Sequence, residues 1–285
     1  MPSAIDYLIS SQHESGGWGY STGQKPGVEP TAAVLLATRN ESLANNSFQN
    51  GLSWLLHCQH QDGGWGINED DPESGWQTAW ALIALRYSTQ NNIAISHAVD
   101  WLTTVETVEV SREQFQKQEI PKTDTIGALV WPWMPGQLGF IEPTAMAILA
   151  LEGLNKSQRA DARVNSALNY IQQYRTSHGG WDYGNEGKLD TGVLPRAYPT
   201  ALTLIALSHI AKDKIQTIDA IALQQALSRD PSILVQSSGV LALRTMGADP
   251  NALITNITEH QLQNGSWDDN PFFTAWALMA FRGYL

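Results

Sequence analysis

The sequence predicts an all-α protein, an (α/α)6 toroid or barrel built from six outer–inner helix pairs. Two signatures alternate along its 285 residues. One is an amphipathic stretch that ends in glycine and tryptophan, and the other is a Thr-Ala step that opens a run rich in alanine and leucine. A unit of about 47 residues that recurs in this way is typical of architectures assembled from one repeated supersecondary element.

The first signature predicts the outer helix of each pair. Its clear copies are YLISSQHESGGWG (7–19), WLLHCQHQDGGWG (54–66), YIQQYRTSHGGWD (170–182) and ITEHQLQNGSWDD (257–269), and an eroded copy begins at 101–106 and resumes near 130–136. Apolar residues such as Ala98, Trp101, Leu102 and Val105 follow helical spacing, which indicates one buried face. The glycines suit the left-handed position that follows a helix, so each copy marks a helix end.

The second signature predicts the inner helix of each pair. Its starts are Thr31, Thr78, Thr144, Thr200, Ser238 and Thr274. The runs that follow are apolar on nearly all sides, as expected of a helix enclosed by other helices. Pro30, Pro143 and Pro199 stand at the first turn, where the missing N–H costs nothing, and the adjoining hydroxyl can cap free backbone amides.

We expect residues 1–285 to form a single toroid domain, with an insertion at about 105–129 in the third repeat. Both ends of the chain coincide with a repeat and no polar capping repeat protects them, whereas an open array needs such caps. This favours a closed ring over an open solenoid. The inserted segment mixes both charges and interrupts the repeat, so it is a candidate lid or partner-docking segment.

Composition narrows the classes of partner. The net charge of −11 argues against nucleic acid and against an anionic membrane, because both require a basic face. The N-terminus lacks the pattern of a signal peptide, and no apolar run approaches a membrane span. A single cysteine, Cys58, excludes an internal disulfide. We therefore expect a soluble, cytoplasmic protein.

The Gln…Gly-x-Trp pattern resembles the QW repeats of triterpene cyclases such as squalene–hopene cyclase. The wider superfamily of α/α toroids includes class II diterpene cyclases and the β subunits of protein prenyltransferases. The resemblance extends over essentially the whole chain and rests on four copies: Gln12/Gly17/Trp18, Gln59/Gly64/Trp65, Gln173/Gly180/Trp181 and Gln261/Gly265/Trp267. It implies a fold, and these glutamines and tryptophans are expected to be structural.

The resemblance also directs attention to one carboxylate. Triterpene and class II diterpene cyclases carry Asp-x-Asp-Asp-Thr-Ala at one inner-helix start, and its middle aspartate protonates an alkene or epoxide. Aligned on Thr144-Ala145, that motif places Glu142 in the donor position, while Phe140 and Pro143 replace the flanking aspartates. Glu29 precedes Pro-Thr-Ala equivalently in the first repeat. Without flanking carboxyls the donor is a weaker acid, so opening an epoxide or acting as a general base is easier than protonating an alkene.

Residues two positions before each Thr or Ser are predicted to ring one mouth of the barrel. They are Glu29, Trp76, Glu142, Tyr198, Gln236 and Phe272, and the candidates from adjoining loops are Trp131, Trp133, Phe140 and Tyr183. Aromatic rings stabilise a carbocation by about 0.5–2 kcal/mol each, so this set suits an isoprenoid or another apolar ligand. A more modest interpretation is that Glu-Pro-Thr-Ala begins a helix and that the aromatic residues fill the mouth.

No metal or other cofactor is predicted. Prenyltransferase β subunits hold zinc with Asp, Cys and His near the funnel mouth, whereas Cys58 lies late in an outer helix with His57 and His60 close in sequence. Zinc at these three residues is conceivable, and a helix end with partly exposed histidines is the simpler interpretation. The acidic loop 68–76 has carboxylates that could bind Ca²⁺ or Mg²⁺, and solvation of the loop is the simpler interpretation.

Two functions of different classes remain. The leading hypothesis is a single-domain, terpene-cyclase-like protein that binds an isoprenoid or other apolar ligand, with Glu142, and secondarily Glu29, as acid or base for cyclisation or isomerisation. The rival is a non-catalytic toroid scaffold or accessory subunit that binds a partner protein. A partner protein or a second copy of the chain could also complete the cavity. A glycoside-processing barrel with paired carboxylates is a more distant alternative.

Overall fold

The computed structural model describes residues 3–88, 92–108, 130–154, 158–184 and 192–285. The helices are α1 (Ala4–Ser10), α2 (Val28–Thr38), α3 (Asn45–His57), α4 (Gln77–Ser88), α5 (Asn92–Thr104), α6 (Ile141–Leu151), α7 (Gln158–Gln173), α8 (Ala197–Ile210), α9 (Thr217–Leu227), α10 (Ile233–Met246), α11 (Asn251–Glu259) and α12 (Pro271–Arg282). Short 3-10 turns lie at Ser42–Ala44 and Lys212–Lys214. The chain divides into two compact units, Met1–Val99 with Pro231–Leu285, and Asp100–Asp230.

Half-exposed and enclosed helices alternate, as the sequence predicts. Every residue of the enclosed helix α2 is buried. The outer helix α3 instead buries one face, with Phe48, Leu52 and Leu55 on it. The alternation follows from composition, because a helix that is apolar all round lowers its free energy only when it is surrounded by other helices.

In the first unit, enclosed helices lie side by side. Helix α2 packs against α4 on one side and against α12 on the other, and α12 also packs against α10. The first repeat therefore contacts the last one. In the second unit α6 packs against α8, and the outer helices α7 and α9 cover them.

Each pair of signatures is joined by the same hydrogen bond. The backbone N–H of the signature tryptophan donates to the side-chain oxygen of the Thr that opens the next helix. The five pairs are Trp18–Thr31, Trp65–Thr78, Trp131–Thr144, Trp181–Thr200 and Trp267–Thr274, at 2.9–3.1 Å. The threonine hydroxyl thus serves the preceding loop as well as the helix start. Ser238, the degenerate sixth copy, donates instead to the carbonyl of Val235.

The glutamines connect neighbouring repeats. The amide of Gln12 donates to the Ser47 carbonyl at 2.7 Å, and that of Gln59 to the Ala94 carbonyl at 2.9 Å. The register of the copy at 170–182 differs from the sequence interpretation. Gln173 is exposed, and Arg175 stands six residues before its tryptophan, where the other copies have glutamine. A guanidinium can replace the amide because it too donates to backbone carbonyls.

Glycine is required where the repeats approach most closely. Gly63 has φ +92°, and a Cβ at this position would lie 2.4 Å from the carbonyl oxygen of His97 in α5. Such a contact cannot be relieved by rotating a flexible side chain. The Gly-Gly-Trp turn therefore sets the distance between successive outer helices.

The first residues of the predicted insertion include a short strand. Val105 is buried, and Thr107–Val108 form β1, which pairs in parallel with β2, Gln137–Leu138. These two short strands are a local addition to the helical architecture. Residues 109–129, most of the predicted insertion, lie outside the described part of the chain. Within the described residues, no helix combines the length and apolarity that a membrane crossing requires.

Candidate functional site

The predicted rim positions share one structural register. Four of them, Glu29, Glu142, Tyr198 and Phe272, are the second residue of an enclosed helix. Trp76 directly precedes α4, whereas Gln236 is the fourth residue of α10. Glu29, Trp76, Gln236 and Phe272 belong to the first unit, and Glu142 and Tyr198 belong to the second.

The carboxyl of Glu142 lies in the first turn of α6, where it is half-buried. No hydrogen bond or ion pair connects it to another of the described residues. Burial raises its pKa from an ordinary value of 4.5 to about 7, because the charged form loses hydration without gaining a donor. A carboxyl in this state is partly protonated at neutral pH and can either give or take a proton.

Aromatic residues surround the start of α6. The rings of Phe140, which is the N-cap residue, and Trp133 have centroids 6.3 Å apart, and both are half-buried. The backbone N–H of Ile141 donates to the carbonyl of Tyr183, which places that residue beside the same helix end. Tyr183 itself is 51% exposed. Tyr198 is the second residue of α8, the enclosed helix that packs against α6.

Trp131 has a structural position rather than a place at the mouth. Its side chain is only 2% exposed, and its indole N–H donates to the carbonyl of Leu102 at 2.8 Å. The other signature tryptophans, Trp18, Trp65, Trp181 and Trp267, each bond a preceding carbonyl in the same way. Trp131 is therefore the signature tryptophan of the eroded repeat, and Trp133, two residues later, is the one that reaches the start of α6.

The second candidate carboxyl, Glu29, is buried and already bonded. The hydroxyl of Tyr20 donates to it, and burial together with the negative charge of Glu29 raises the pKa of that phenol. The Tyr20 ring meets Phe272 edge-on at 5.5 Å, and Phe272 in turn contacts Trp80 at 6.0 Å. Glu29 thus lies in a mixed polar and aromatic cluster formed by the starts of α2, α4 and α12.

Sequence reasoning missed Tyr20, although a signal was present. Tyr20 stands two residues after its signature tryptophan, as Trp133 and Tyr183 do after theirs. The carbonyl of the residue at this position accepts the first N–H of the preceding repeat's enclosed helix, from Val28 to Ile67 and from Ile141 to Tyr183. That recurring bond explains why this position borders the helix starts.

The remaining sequence candidates have local structural roles. In the acidic loop, the Asp71 carboxylate accepts the backbone N–H groups of Ile67 and Glu73, and Lys25 pairs with Glu69 and Asp70. Cys58 is buried, and burial raises the pKa of its thiol to about 12. Among the described residues, no three side chains of His, Cys, Asp or Glu are grouped so as to hold a metal ion.

The protein has the features of an α/α toroid. Enclosed and outer helices alternate, tryptophan–threonine hydrogen bonds join them, and carboxyl and aromatic side chains lie at the helix starts. The chain belongs to the prenyltransferase alpha-alpha toroid domain family. The family model matches residues 2–127 and 140–267. No curated protein matches the sequence.

Solved structures of distant sequence share the fold. The chain is similar to a variant of the type II terpene cyclase MstE from Scytonema in complex with geranylgeranyl dihydroxybenzoate, its substrate, with a TM-score of 0.62, 17% identity, and coverage of 99% of this chain and 95% of that chain. Another MstE variant, in complex with the product merosterolic acid A, has a TM-score of 0.60 and 17% identity, and the match covers 98% of this chain and 94% of that chain. An alpha-amylase from Clostridium perfringens has a TM-score of 0.70 and 12% identity, and the match covers 99% of this chain and 97% of that chain.

Proposed function

We propose that the chain binds an isoprenoid or another apolar ligand at the starts of the enclosed helices α6 and α8 in the second unit, and that Glu142 acts on it as a general acid or base. The observation that carries the proposal is the environment of Glu142. The carboxyl lies at a helix start among aromatic residues, lacks a hydrogen-bond partner within the described residues, and has a pKa of about 7.

A purely structural carboxyl at this position would behave differently. A glutamate that served only to begin the helix would accept free N–H groups and remain ionised, since the helix start stabilises negative charge. Glu29 illustrates a bonded carboxyl, because it accepts the hydroxyl proton of Tyr20. The absence of such a bond at Glu142 favours chemistry over capping.

The pKa of Glu142 selects the reaction. General acid–base catalysis is most effective when the pKa of the catalytic group lies near the working pH. The pKa of Glu142, about 7, is also far above the pKa of a strongly acidic proton donor. Protonation of an unactivated alkene demands a stronger acid. We therefore propose that the step is opening of an epoxide, or removal of a proton during isomerisation or after cyclisation.

The aromatic residues supply the rest of the site. Phe140 and Trp133 lie together at the start of α6, the Tyr183 carbonyl accepts the first N–H of that helix, and Tyr198 is the second residue of the adjoining helix α8. Their rings favour apolar substrate and stabilise positive charge that develops along it. In the first unit Glu29 accepts the Tyr20 hydroxyl, so we propose Glu142 rather than Glu29 as the proton-transfer group.

The experiment is a ligand and product assay on the intact chain. The compounds tested are of farnesyl, geranylgeranyl and squalene type, each with and without a terminal epoxide. Binding is measured by thermal shift, and conversion is measured by chromatography of extracts. We expect wild type and Glu142→Gln to bind alike, and only wild type to convert the ligand. The matched control is Glu259→Gln, which makes the same change on the exposed face of α11.

The pH profile identifies the role. If Glu142 acts as an acid, conversion declines as the pH rises through about 7, and if it acts as a base, conversion rises over the same range. A complete lack of shift and conversion with every compound, together with a stable complex with another protein, would favour the scaffold hypothesis and end this proposal.

A further inference from the structure

The junction between the last repeat and the first is built differently from the others. Thirteen residues separate the signature tryptophan from its threonine in three repeats and nineteen separate them in another, but only seven separate Trp267 from Thr274. This short connection makes a tight turn, in which Asp268 and Asp269 have left-handed φ values of +55° and +50°. The connection and helix α1, which it meets, both belong to the first unit.

A recurring backbone bond is missing at the same junction. In the first and third repeats the first N–H of the enclosed helix donates to a carbonyl of the following repeat, from Val28 to Ile67 and from Ile141 to Tyr183. Helix α12 begins with Pro271, and proline has no N–H to donate. The last repeat therefore meets the first without this bond.

At the junction of the first two repeats, a longer loop fills the corresponding space. A Cβ at Gly17 would lie 2.7 Å from Pro26, which belongs to that loop, and 2.8 Å from the Trp54 ring. Pro26 and Trp54 thus meet beside the turn. Tyr7 is the residue of the first repeat that corresponds to Trp54. The stretch after Trp267 that corresponds to Pro26 is already part of α12, so the last junction lacks such a loop.

A cavity of about 520 Å³, open to solvent, lies at this last junction. The described residues that line it are Asp6, Tyr7 and Ser10 of α1, Thr22 of the loop after Trp18, and Asn264 and Asp269 of the last repeat. The Tyr7 side chain is 6% exposed, whereas the other five residues are exposed. All six are polar, and they include two carboxylates but no Lys, Arg or His. The volume lies within the range of small-molecule pockets.

The carboxylates of the cavity have acceptor capacity left over. Asp6 uses one oxygen to accept the backbone N–H and the hydroxyl of Ser3, both at 2.8 Å. Asp269 uses one oxygen to accept the Asn264 amide at 2.6 Å and the Ser266 hydroxyl at 3.3 Å. The second oxygen of each carboxylate has no donor within the described part of the chain. Two carboxylate oxygens are therefore available to a ligand.

Hydroxyl and amide groups of the cavity add donors. The hydroxyls of Tyr7 and Thr22 lie 3.2 Å apart and share one hydrogen bond, so one of the two O–H groups remains to donate. The side-chain amino group of Asn264 gives one N–H to Asp269 and retains the other. Burial raises the pKa of Tyr7, and the charge of Asp269 adds to the rise, which indicates that this carboxylate lies near the hydroxyl pair.

We propose that this cavity binds a neutral polyhydroxylated ligand, a mono- or disaccharide. Each sugar hydroxyl both donates and accepts, so it can use the carboxylate oxygens together with the remaining O–H and N–H groups. An ammonium ligand has only donors and would leave those O–H and N–H groups unused. An anion would be repelled by Asp6 and Asp269. Glu142 belongs to the second unit, so this proposal does not depend on the proposed function.

The test measures binding of glucose, mannose, maltose and trehalose, each at millimolar concentration, to the intact chain by saturation-transfer difference NMR. We expect at least one saccharide to bind wild type, with no dependence on salt because the ligand is neutral. Ser10→Tyr should abolish the signal, because its ring would occupy the cavity from an exposed helix end. Ser53→Tyr is the matched control, because it makes the same change at an exposed position of α3 outside the cavity, and it should bind like wild type.

A second variant tests the acceptor while the shape of the cavity is kept. Asparagine tolerates a left-handed backbone as aspartate does, and Asp269→Asn should weaken saccharide binding about tenfold because a hydrogen bond to a charged group is lost. The Tm of each variant shows whether the fold is intact. Absence of binding by all four saccharides, binding that survives Ser10→Tyr, or equal loss in Ser53→Tyr would overturn the proposal. Salt-sensitive binding of spermidine without saccharide binding would identify a cation site and would also overturn it.

Discussion

The guanidinium of Arg163 lies 4.7 Å from the centre of the Trp131 ring and joins both ends of the inserted segment. Its Nη1 donates to the Val105 carbonyl at 2.8 Å, and its Nη2 donates to the Val130 carbonyl at 2.7 Å. The side chain is 3% exposed. A single residue of the outer helix α7 thus keeps the eroded repeat in register across its interruption.

Arg163→Met should therefore destabilise the protein. The Val105 carbonyl would lose its side-chain donor, at about 1–3 kcal/mol before relaxation, and the Val130 carbonyl would keep only the Thr107 hydroxyl. We expect urea denaturation to show a decrease of about 2–4 kcal/mol in the free energy of unfolding. Arg163→Lys, whose single ammonium group cannot reach both carbonyls in a planar fork, should give an intermediate value. A loss below about 1 kcal/mol for the methionine variant would contradict the assigned role.

The stability of the protein should depend on pH through Glu142. Its pKa is 4.5 when unfolded and about 7 when folded, so the folded state binds the extra proton between these values. The contribution of Glu142 to the free energy of unfolding is therefore greatest below pH 4.5. It falls as the pH rises towards about 7 and does not change further above that pH. The loss amounts to about 3 kcal/mol at most.

Glu142→Gln removes this dependence, because glutamine does not ionise. Its unfolding free energy should exceed that of wild type at about pH 8 and approach it at about pH 4. Chemical denaturation at the two pH values measures the difference. Equal or lower stability of the variant at the higher pH would show that the ionised carboxylate is well accommodated, and the proposed proton-transfer role would lose its support.

The threonine that joins loop and helix can be tested with a matched pair on α8. Thr200 accepts the Trp181 backbone N–H at 2.9 Å, whereas the buried hydroxyl of Thr203 only donates to the Pro199 carbonyl within its own helix. Thr200→Val leaves a buried N–H without an acceptor and should cost about 1–3 kcal/mol. Thr203→Val should cost less, and Thr200→Ser should retain most of the stability. Similar losses for both valine variants would count against the shared loop–helix bond.

The pair Arg175–Asp219 replaces the glutamine of the other repeats. Asp219 is fully buried, contacts the Arg175 Nε at 2.9 Å, and accepts the backbone N–H of Gly180 at 3.0 Å. Arg175→Gln restores the repeat pattern but leaves a buried carboxylate without its cation. We therefore expect the free energy of unfolding to fall by about 3–5 kcal/mol. Calorimetry of a double-mutant cycle with Asp219→Asn should show the double variant to be more stable than the sum of the single losses predicts. Additive losses would mean that the two side chains act independently.

The Tyr20–Glu29 bond makes a further prediction. Tyr20→Phe keeps the edge contact with Phe272 but removes the donor from a buried carboxyl. We expect a loss of about 1–2 kcal/mol at neutral pH in thermal denaturation. Tyr183→Phe, at the same register but 51% exposed, should change stability by less than about 0.5 kcal/mol. A loss at Tyr183 equal to that at Tyr20 would show that the hydroxyl–carboxyl bond is not the cause.

Local sequence predicted much of the repeat but missed its exceptions. Threonine before an apolar run and glycine after an amphipathic one act on their immediate neighbours, so their effects can be read from spacing. Arg175 escaped notice because its partner Asp219 belongs to the next outer helix. Trp131 was predicted to lie at the mouth because it stands in the loop before the third enclosed helix, whereas its indole N–H bonds the carbonyl of Leu102.

The sequence by itself determined the toroid, because periodic apolar runs and turn residues act at short range and recur in every unit. The adjoining residues could not distinguish Glu29 from Glu142, since both stand in an identical Glu-Pro-Thr-Ala string, and only the resemblance to the cyclase motif placed Glu142 first. Tertiary structure made that distinction. Tyr20, held against Phe272 from the far end of the chain, donates to Glu29, whereas no described residue donates to Glu142. The ionisation of a carboxyl depends on donors and burial that the fold gathers from distant parts of the chain.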